Sequence, residues 1–260
     1  MSRLAERIYR TEGIVLRRTD LGEADRILTI YTPQFGKLRA IAKGVRRPAS
    51  KLRGHLELFT RAKLQLARGR NLDVITSAET TEAYHGLREE DIATLERVGV
   101  AYYLAELLDR FTEDNLENRA VWDLLVAALR ALSAGLDPAL IARYYELRLL
   151  GYLGYQPQLE TCLSCDEPLQ PVENYYSIES GGVLCPNCRA HDPAARPISV
   201  NALKLLRLLA REEMLAAARL RISPALMTEV EDILRRSIRQ LADRDLESPA
   251  VLRSLQRSAN

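Results

Sequence analysis

The spacing of apolar residues changes near residue 86, and this change constrains the fold more than any other feature of the sequence. Before it, short runs of β-branched and apolar residues are separated by turn residues, which is typical of strands. From Asp91 onward, apolar residues recur at intervals of three and four, which is typical of amphipathic helices. Strands followed by helices predict an α+β protein.

The segment before the change is predicted to form an N-terminal domain, residues 1–85, with five strands. They are expected at residues 12–18, 26–31, 37–43, 57–67 and 72–79, with a loop at 44–54. Because no long helix separates them, five short strands favour a small closed barrel of the oligonucleotide-binding (OB) type.

Successive side chains of a strand point to opposite faces, so alternation predicts the inward residues of the third and fourth strands. The inward set is Leu38, Ala40, Ala42, Leu58, Thr60, Ala62, Leu64 and Leu66. The outward set is Lys37, Arg39, Ile41, Lys43, Phe59, Arg61, Lys63 and Gln65. We therefore expect the two strands to lie side by side and to present their bases on one outward face.

Positive charge is concentrated in residues 37–70, which hold eleven basic residues and one acid, Glu57. This local charge of +10 contrasts with a net charge of +2, so the rest of the chain carries −8. Such a concentration favours a polyanion partner, with a merely solvated basic surface as the alternative. The predicted nucleic-acid-binding residues are Lys37, Arg39, Lys43, Arg46, Arg47, Lys51, Arg53, Phe59, Arg61, Lys63, Arg68 and Arg70. Only Phe59 among the outward residues could stack on a base, so phosphate contacts are expected to dominate.

The helical domain is predicted at residues 86–158 and 198–260. Helices are expected at residues 92–111, 121–132, 138–153, 200–214 and 224–243, with a short one beginning at 248–249. Asp137 and Ser223 each precede a proline, which combines an N-cap with the residue favoured at the first helical position. The single tryptophan, Trp122, is expected in the core.

The four cysteines form two Cys-x-x-Cys pairs, which lie within residues 159–197. The pairs are Cys162 with Cys165 and Cys185 with Cys188. Two such pairs at this spacing predict one tetrahedral Zn²⁺ site, and four thiolates leave no open position for catalysis. Disulfides and free thiols are the alternatives, and His191 is interpreted as a bystander. A structural zinc module inserted in the helical domain is therefore expected.

Several classes of function lack support in the sequence. It contains no phosphate-binding loop of the GxxxxGK[ST] type, and its three histidines form no recognisable catalytic or metal-hydrolase pattern. The carboxylates follow the spacing of solvated helix faces, so a binding protein is expected rather than an enzyme, with a nuclease as the alternative. No apolar run of eighteen residues or secretory signal occurs, which predicts a cytoplasmic protein without a membrane span.

Three stretches resemble the RecO family of recombination mediators. They are EGIVLRRTDLGEADRILTIYTPQFGKLRAIAKGVRR at residues 12–47, YYELRLLGYLGYQPQL at residues 144–159, and the two cysteine motifs CLSC and CPNC. The order and spacing agree over nearly the whole chain, and the last thirty or so residues agree least. The resemblance implies an N-terminal OB barrel, a helical domain and a zinc-binding insertion that some members lack.

The resemblance also implies an activity and partners. RecO-like proteins bind single- and double-stranded DNA in the nucleoid, anneal complementary strands and, with RecR, load RecA onto DNA coated by single-strand binding protein. The helical domain is expected to contact the acidic C-terminal tail of that protein. Candidate residues on the third helix are Arg143, Tyr144, Leu147 and Arg148, for which core packing with solvated arginines is the alternative. From the residues without the resemblance, an RNA-binding OB and zinc protein in translation or RNA processing is the rival function.

Overall fold

The computed structural model describes residues 7–88 and 91–242, which form two compact units that divide between Ser133 and Ala134. The first unit contains a barrel and two helices, and the second contains helices and a small sheet. The domain boundaries predicted at residues 85, 158 and 197 remain predictions. Among the described residues, no helix combines the length and the apolar character needed to cross a membrane.

Five strands close into a barrel in the first unit, as predicted. They are β1 (Ile8–Leu21), β2 (Asp25–Thr32), β3 (Gly36–Ala42), β4 (Arg61–Ala67) and β5 (Asp73–Glu82). Their order around the barrel is β1-β2-β3-β5-β4, and β4 also pairs with β1. All neighbours are antiparallel except β3 and β5, which are parallel. The closed ring thus leaves β3 and β4 without a common edge, and the expectation that they lie side by side is wrong.

The barrel interior is apolar and follows the predicted alternation. Ala40, Ala42, Ala62 and Leu66 are each 0% exposed, and Leu38 and Leu64 are also buried. Gly13 lies where β1 passes this interior, and a Cβ there would meet Ile30 Cγ2 at 2.5 Å. Inward positions of β3 and β4 were therefore predictable from period two alone.

The first strand spans two sides of the barrel. Residues Ile8 to Ile14 pair with β4, whereas Ile14 to Leu21 pair with β2, with a register shift between Val15 and Arg17. Such a bulge bends a strand and increases its twist. Outward residues before and after the shift consequently belong to different surfaces.

Two helices complete the first unit: α1 (Ile92–Phe111) and α2 (Arg119–Ser133). The Asp91 carboxylate caps α1 by accepting a hydrogen bond from the Thr94 amide at 2.5 Å. Trp122 on α2 is 1% exposed, which confirms its predicted place in the core.

The second unit is built around α3 (Pro138–Tyr152), which packs against α4 (Val200–Arg211) and α6 (Pro224–Leu241). Asp137 and Ser223 cap α3 and α6 as predicted. The fourth predicted helix is divided, because α4 ends at Arg211 and a single turn, α5 (Met214–Ala217), follows it. The short helix predicted at 248–249 lies outside the described residues.

Three short strands that the sequence did not predict lie between α3 and α4. They are β6 (Asn174–Ser177), β7 (Gly182–Leu184) and β8 (Arg196–Ile198), in the order β7-β6-β8. Val183 and Ile198 are 0% exposed, so this segment contributes apolar side chains to the packing of the second unit. Runs of three or four residues are too short to reveal a period of two.

Candidate nucleic-acid interface and metal centre

Six exposed bases lie on β1, on β3 and in the loop after β3. We call them the β3 face: Arg17, Arg39, Lys43, Arg47, Lys51 and Arg53. Arg17 and Arg39 lie in one row, because each is paired in register with Thr29 of the intervening strand β2. Arg17 was missed by the sequence prediction, which considered only residues 37–70.

The loop that carries four of these bases is anchored to the barrel. Val45 and Leu56 are 2% and 1% exposed, so they fix both ends of the segment in the core. The Gly44 amide donates to Asp25 Oδ1 at 2.7 Å, and Gly44 has a φ of +64°, which favours glycine. The loop therefore presents its bases from defined turns.

The β3 face carries positive charge without compensating acids. Within the described residues, none of its six bases lies within ion-pair distance of a carboxylate. Asp20, on the same side, is already paired with Arg26 at 2.8 Å and Arg46 at 3.4 Å. The hydrogen bond from Arg26 holds the pKa of the Asp20 carboxyl below its usual value. Arg46 is thus the one predicted loop base that is partly neutralised within the protein.

Lys37 does not face solvent, so its predicted place on the outward face is wrong. It is 8% exposed, and its Nζ donates to the Asp109 carbonyl at 2.6 Å. The same Nζ lies 3.1 Å from Asp109 Oδ1 and 3.5 Å from Asp114 Oδ1. These contacts come from α1 and the segment after it, which cover this end of β3. Lys37 therefore forms structural ion pairs with Asp109 and Asp114 and is not available to a ligand.

Phe59 is also not outward, and the prediction that it could stack on a base is wrong. It is 6% exposed, and its ring lies edge-on to that of Tyr102 at 5.1 Å. Its φ of +56° lies in the left-handed region, so the extended strand begins only at Arg61. In described residues 7–88, every aromatic side chain is buried or half-buried, so none offers an open stacking platform.

Arg61 on β4 is enclosed by acids. Its guanidinium lies 2.7 Å from Glu12 Oε2 and 3.4 Å from Glu82 Oε2, and 5.6 Å from the Trp122 ring centroid. The hydrogen bond to Glu12, opposed by burial, raises the pKa of Arg61 above its ordinary value. Arg61, which was predicted to bind nucleic acid, is therefore already engaged by Glu12 and Glu82.

Lys63, Arg68 and Arg70 are exposed, but they lie on β4 and the turn after it, away from the β3 face. Lys63 is paired in register with Glu12 on β1 and Glu79 on β5. The structure therefore divides the predicted nucleic-acid set into two separate surfaces and a remainder that the protein itself engages. The remainder is Lys37, Arg46, Phe59 and Arg61.

The four cysteine sulfurs converge as the spacing predicts. All four Sγ atoms lie within 4.8 Å of one another, and the Cys165 and Cys185 sulfurs are 4.0 Å apart. Tetrahedral Zn–S bonds of about 2.3 Å would place sulfurs about 3.8 Å apart, so the donor set fits. Cys162, Cys165, Cys185 and Cys188 can thus hold one metal ion with four thiolates.

Backbone groups favour the thiolate form at this centre. The Cys185 and Ser164 amides donate to Cys162 Sγ at 3.3 Å and 3.5 Å. Burial alone would raise the pKa of the Cys162 thiol, but these amides and that of Cys165 lower it to about 6. The neighbouring Cys185 thiol and burial raise the pKa of Cys188 to about 12, because clustered thiolates repel one another until a cation joins them.

His191 lies beside the centre without joining the sulfur cluster. It is exposed, and its Nδ1 is 3.1 Å from the Cys188 carbonyl oxygen. β7 ends immediately before Cys185, and the Asp166 amide donates to the Cys162 carbonyl at 3.0 Å in the first turn. The two turns that aim the sulfurs are therefore fixed by local hydrogen bonds.

The candidate peptide site on α3 does not form an exposed notch. Tyr144 and Leu147 are 5% and 2% exposed, and Arg143 is buried between Glu146 at 2.7 Å and Glu231 at 3.2 Å. Arg148 is half-buried, with its guanidinium against the Tyr144 and Tyr152 rings at 5.7 Å and 5.3 Å. Arg143, Tyr144 and Leu147 therefore follow the alternative expectation of core packing. The two arginines, however, contact other side chains and are not simply solvated.

Comparison with known proteins identifies two matching family models along the chain. Residues 5–84 match "Recombination protein O N terminal", and residues 92–250 match "Recombination protein O C terminal". The boundary between the two matches follows the end of the barrel.

Curated relatives are similar over almost the whole length. The DNA repair protein RecO of Roseiflexus sp. (strain RS-1) is 45% identical over 249 residues, which cover 96% of this chain and 86% of the relative. That of Dehalococcoides mccartyi (strain BAV1) is 38% identical over 247 residues, covering 95% and 96%. That of Pelotomaculum thermopropionicum is 37% identical over 249 residues, covering 95% and 94%. With both halves matched, this chain belongs to the recombination protein O (RecO) family of DNA repair proteins.

Proposed function

We propose that this protein binds single- and double-stranded DNA through the β3 face and anneals complementary strands. The observation that carries the proposal is the group of six exposed bases that no described carboxylate neutralises. Unpaired cations on a rigid barrel attract phosphates and release their counterions. The proposal is of a binding protein with no catalytic step.

Base contacts contribute little in this mechanism. Stacking supplies about 1–3 kcal/mol per base where an aromatic platform exists, and the described barrel residues present no exposed aromatic side chain. Binding is therefore expected to depend steeply on salt and little on sequence. A strand held by its backbone keeps its base edges free, which is what pairing with a complementary strand requires.

The test measures the affinity for single-stranded DNA across a salt series. It compares the wild-type protein with a variant whose β3 face is neutralised. The variant combines Arg39→Gln, Lys43→Gln, Arg47→Gln and Lys51→Gln. Losing four phosphate contacts should reduce the slope of log K against log salt by about 3 for a single strand. An unchanged slope would falsify the proposal. Competitor DNA and RNA of the same sequence are then added to the protein–DNA complexes. The nucleic acid that displaces the bound strand more effectively shows whether the protein prefers DNA or RNA.

A matched control variant exists in the second unit. Arg196, Lys204, Arg219 and Arg221 are also exposed, and none has an ion pair within the described part of the chain. Their fourfold change to Gln removes the same charge from the protein, so the salt slope should stay at the wild-type value.

We further propose that the protein acts with RecR to load RecA onto DNA coated by single-strand binding protein, whose acidic C-terminal tail it contacts. The proposal is supported by family membership and by the resemblance of its sequence motifs. Of the four candidate residues on α3, only Arg148 is partly accessible to such a tail. Annealing of complementary strands precoated with single-strand binding protein measures this activity directly.

The metal at the cysteine centre is proposed to be one structural Zn²⁺. Four sulfur donors suit zinc, and the ion would relieve repulsion among the clustered thiolates. Elemental analysis should find one zinc per chain in the wild type and none in Cys162→Ser. Because the centre lies in the second unit, the variant should lower the thermal stability of that unit while single-strand binding persists. Wild-type protein that folds equally well after complete chelation would contradict a structural role.

A further inference from the structure

A second group of exposed bases lies on the opposite part of the barrel wall. We call it the β4 face: Arg7, Arg10, Lys63, Arg68 and Arg70. Within residues 7–88 and 91–242, none of the five lies within ion-pair distance of a carboxylate. Arg10 donates to Gln65 Oε1 at 3.2 Å, and Arg68 lies 4.9 Å from the Tyr9 ring centroid, so both keep their net charge available.

Strand pairing places Arg10 and Lys63 on one surface, and Arg7 and Arg68 lie where β1 begins and β4 ends. Arg10 on β1 is opposite Gln65 on β4, and the Arg68 amide donates to the Arg7 carbonyl at 2.9 Å. Arg10 and Lys63 line a shallow depression of about 370 Å³. Its polar lining is Arg10, Thr11, Lys63, Gln65, Ser77 and Glu79. Guanidinium, ammonium, amide and hydroxyl groups are the donors that phosphodiester oxygens accept from.

The β4 face is separate from the β3 face. Around the closed barrel, β5 stands between β3 and β4 on one side, and β1 and β2 stand between them on the other. Outward side chains on a barrel point away from its axis, so Lys63 and Arg39 point in widely different directions. One extended backbone lying along β3 therefore leaves the β4 face free.

Acids make the β4 face the weaker of the two. Glu12 faces Lys63 across the β1–β4 pair, but its carboxylate already accepts from Arg61 at 2.7 Å and Thr81 at 3.2 Å. Glu79 faces Lys63 from β5 and is exposed, with no ion-pair partner among the described side chains. Glu79 therefore repels a phosphate that enters the depression.

We propose that the β4 face binds the sugar-phosphate backbone of a second nucleic-acid strand while the β3 face holds the first. This inference rests on the proposed function and adds the place of the second strand. Two separated cationic surfaces bring two polyanions to one protein without superimposing their charges. The weaker surface releases its strand readily, so that a non-matching strand can leave and a complementary one can pair.

The test counts strands per chain by native mass spectrometry, using two non-complementary oligonucleotides of different mass. Wild-type protein should give a complex of one chain with both strands. The variant Arg10→Gln, Lys63→Gln, Arg70→Gln should bind the first strand with unchanged affinity, lose the two-strand complex and anneal complementary strands more slowly. Three lost contacts should also reduce the salt slope of second-strand binding by about 2.

A matched variant tests whether removing a negative charge from the β4 face strengthens second-strand binding. Glu79→Gln removes the repelling acid without adding a base, so the two-strand complex should become more abundant at the same strand concentration. The inference is overturned if the triple variant retains two strands per chain and wild-type annealing. It is equally overturned if Glu79→Gln weakens second-strand binding.

The β3-face variant separates this inference from the proposed function. If neutralising the β3 face leaves first-strand affinity and salt slope unchanged, the proposed function fails. If that variant loses the first strand while the triple β4-face variant behaves as wild type, only the second-strand inference fails. Circular dichroism of each variant confirms that the barrel remains folded.

Discussion

Strands β3 and β4 carry the same alternation of apolar and basic residues but use their bases differently. Arg39 on β3 lies beside an uncharged neighbour, Thr29 on β2. Arg61 on β4 lies between two acids, Glu12 on β1 and Glu82 on β5. One base is available to a ligand, and the other contributes to folding. The comparison shows that ion pairs formed with neighbouring strands decide whether a base is available to a ligand.

The same contrast occurs within β3 itself. Lys37 and Arg39 are two positions apart and share a face by period, yet Lys37 is 8% exposed and Arg39 is exposed. The segment after α1 covers only the Lys37 end of the strand, where the Asn115 amide donates to the Lys37 carbonyl at 2.8 Å. A long-range contact therefore divides one strand face into a structural part and an accessible part.

The largest expected effect is on stability, from removing either enclosed base. Arg61→Met leaves Glu12 without its ion-pair partner, and Lys37→Met leaves the Asp109 carbonyl without the Lys37 donor. Each change should lower the free energy of unfolding by about 1–3 kcal/mol, the lower end reflecting partners that are partly exposed. Urea unfolding measures this loss, and single-strand affinity at constant salt should remain at the wild-type value.

Arg39→Met is the matched control for both enclosed bases. It should change the free energy of unfolding by less than about 0.5 kcal/mol, as for an exposed surface residue, and reduce the salt slope by about 0.7. If Arg61→Met weakens DNA binding as much as Arg39→Met does, the distinction between an available base on β3 and an enclosed base on β4 is wrong.

Features that depend on neighbours in sequence were predictable. Caps at Asp137 and Ser223 determine where α3 and α6 begin, and two-residue spacing within each cysteine pair brings its sulfurs together. Period two also placed Ala40 and Ala42 in the barrel interior. Each of these signals acts over fewer than about five residues, so no knowledge of the tertiary fold is required.

Features that depend on distant partners were not predictable. Phe59 has a positive φ and packs on Tyr102 of α1, which alternation along β4 cannot reveal. The α3 helix is buried on nearly all sides because α4 and α6 flank it, so Arg143 pairs inside the unit rather than at a surface. A basic residue in a sequence thus indicates a charge, while its availability is a property of the fold.

The smallest expected effect concerns the outer acid of the Arg61 cluster. Hydrogen bonding from Arg130, opposed by burial and aided by Arg61, holds the pKa of Glu82 below its usual value of 4.5. A carboxyl with a lowered pKa stabilises the fold above its usual pKa and loses this contribution as pH falls through the lowered value. Arg130 is 56% exposed, so Arg130→Met should cost only about 0.2–1 kcal/mol at pH 7.

The difference in unfolding free energy between wild type and Arg130→Met should therefore narrow as pH falls below 4.5, the usual Glu value. Urea unfolding between neutral and acidic pH measures it. Arg119→Met is the control on the same helix, because its pair with Asp123 at 3.1 Å is exposed on both sides. A difference for Arg130→Met that stays constant with pH would mean that Arg130 packs against the barrel without acting through the Glu82 charge.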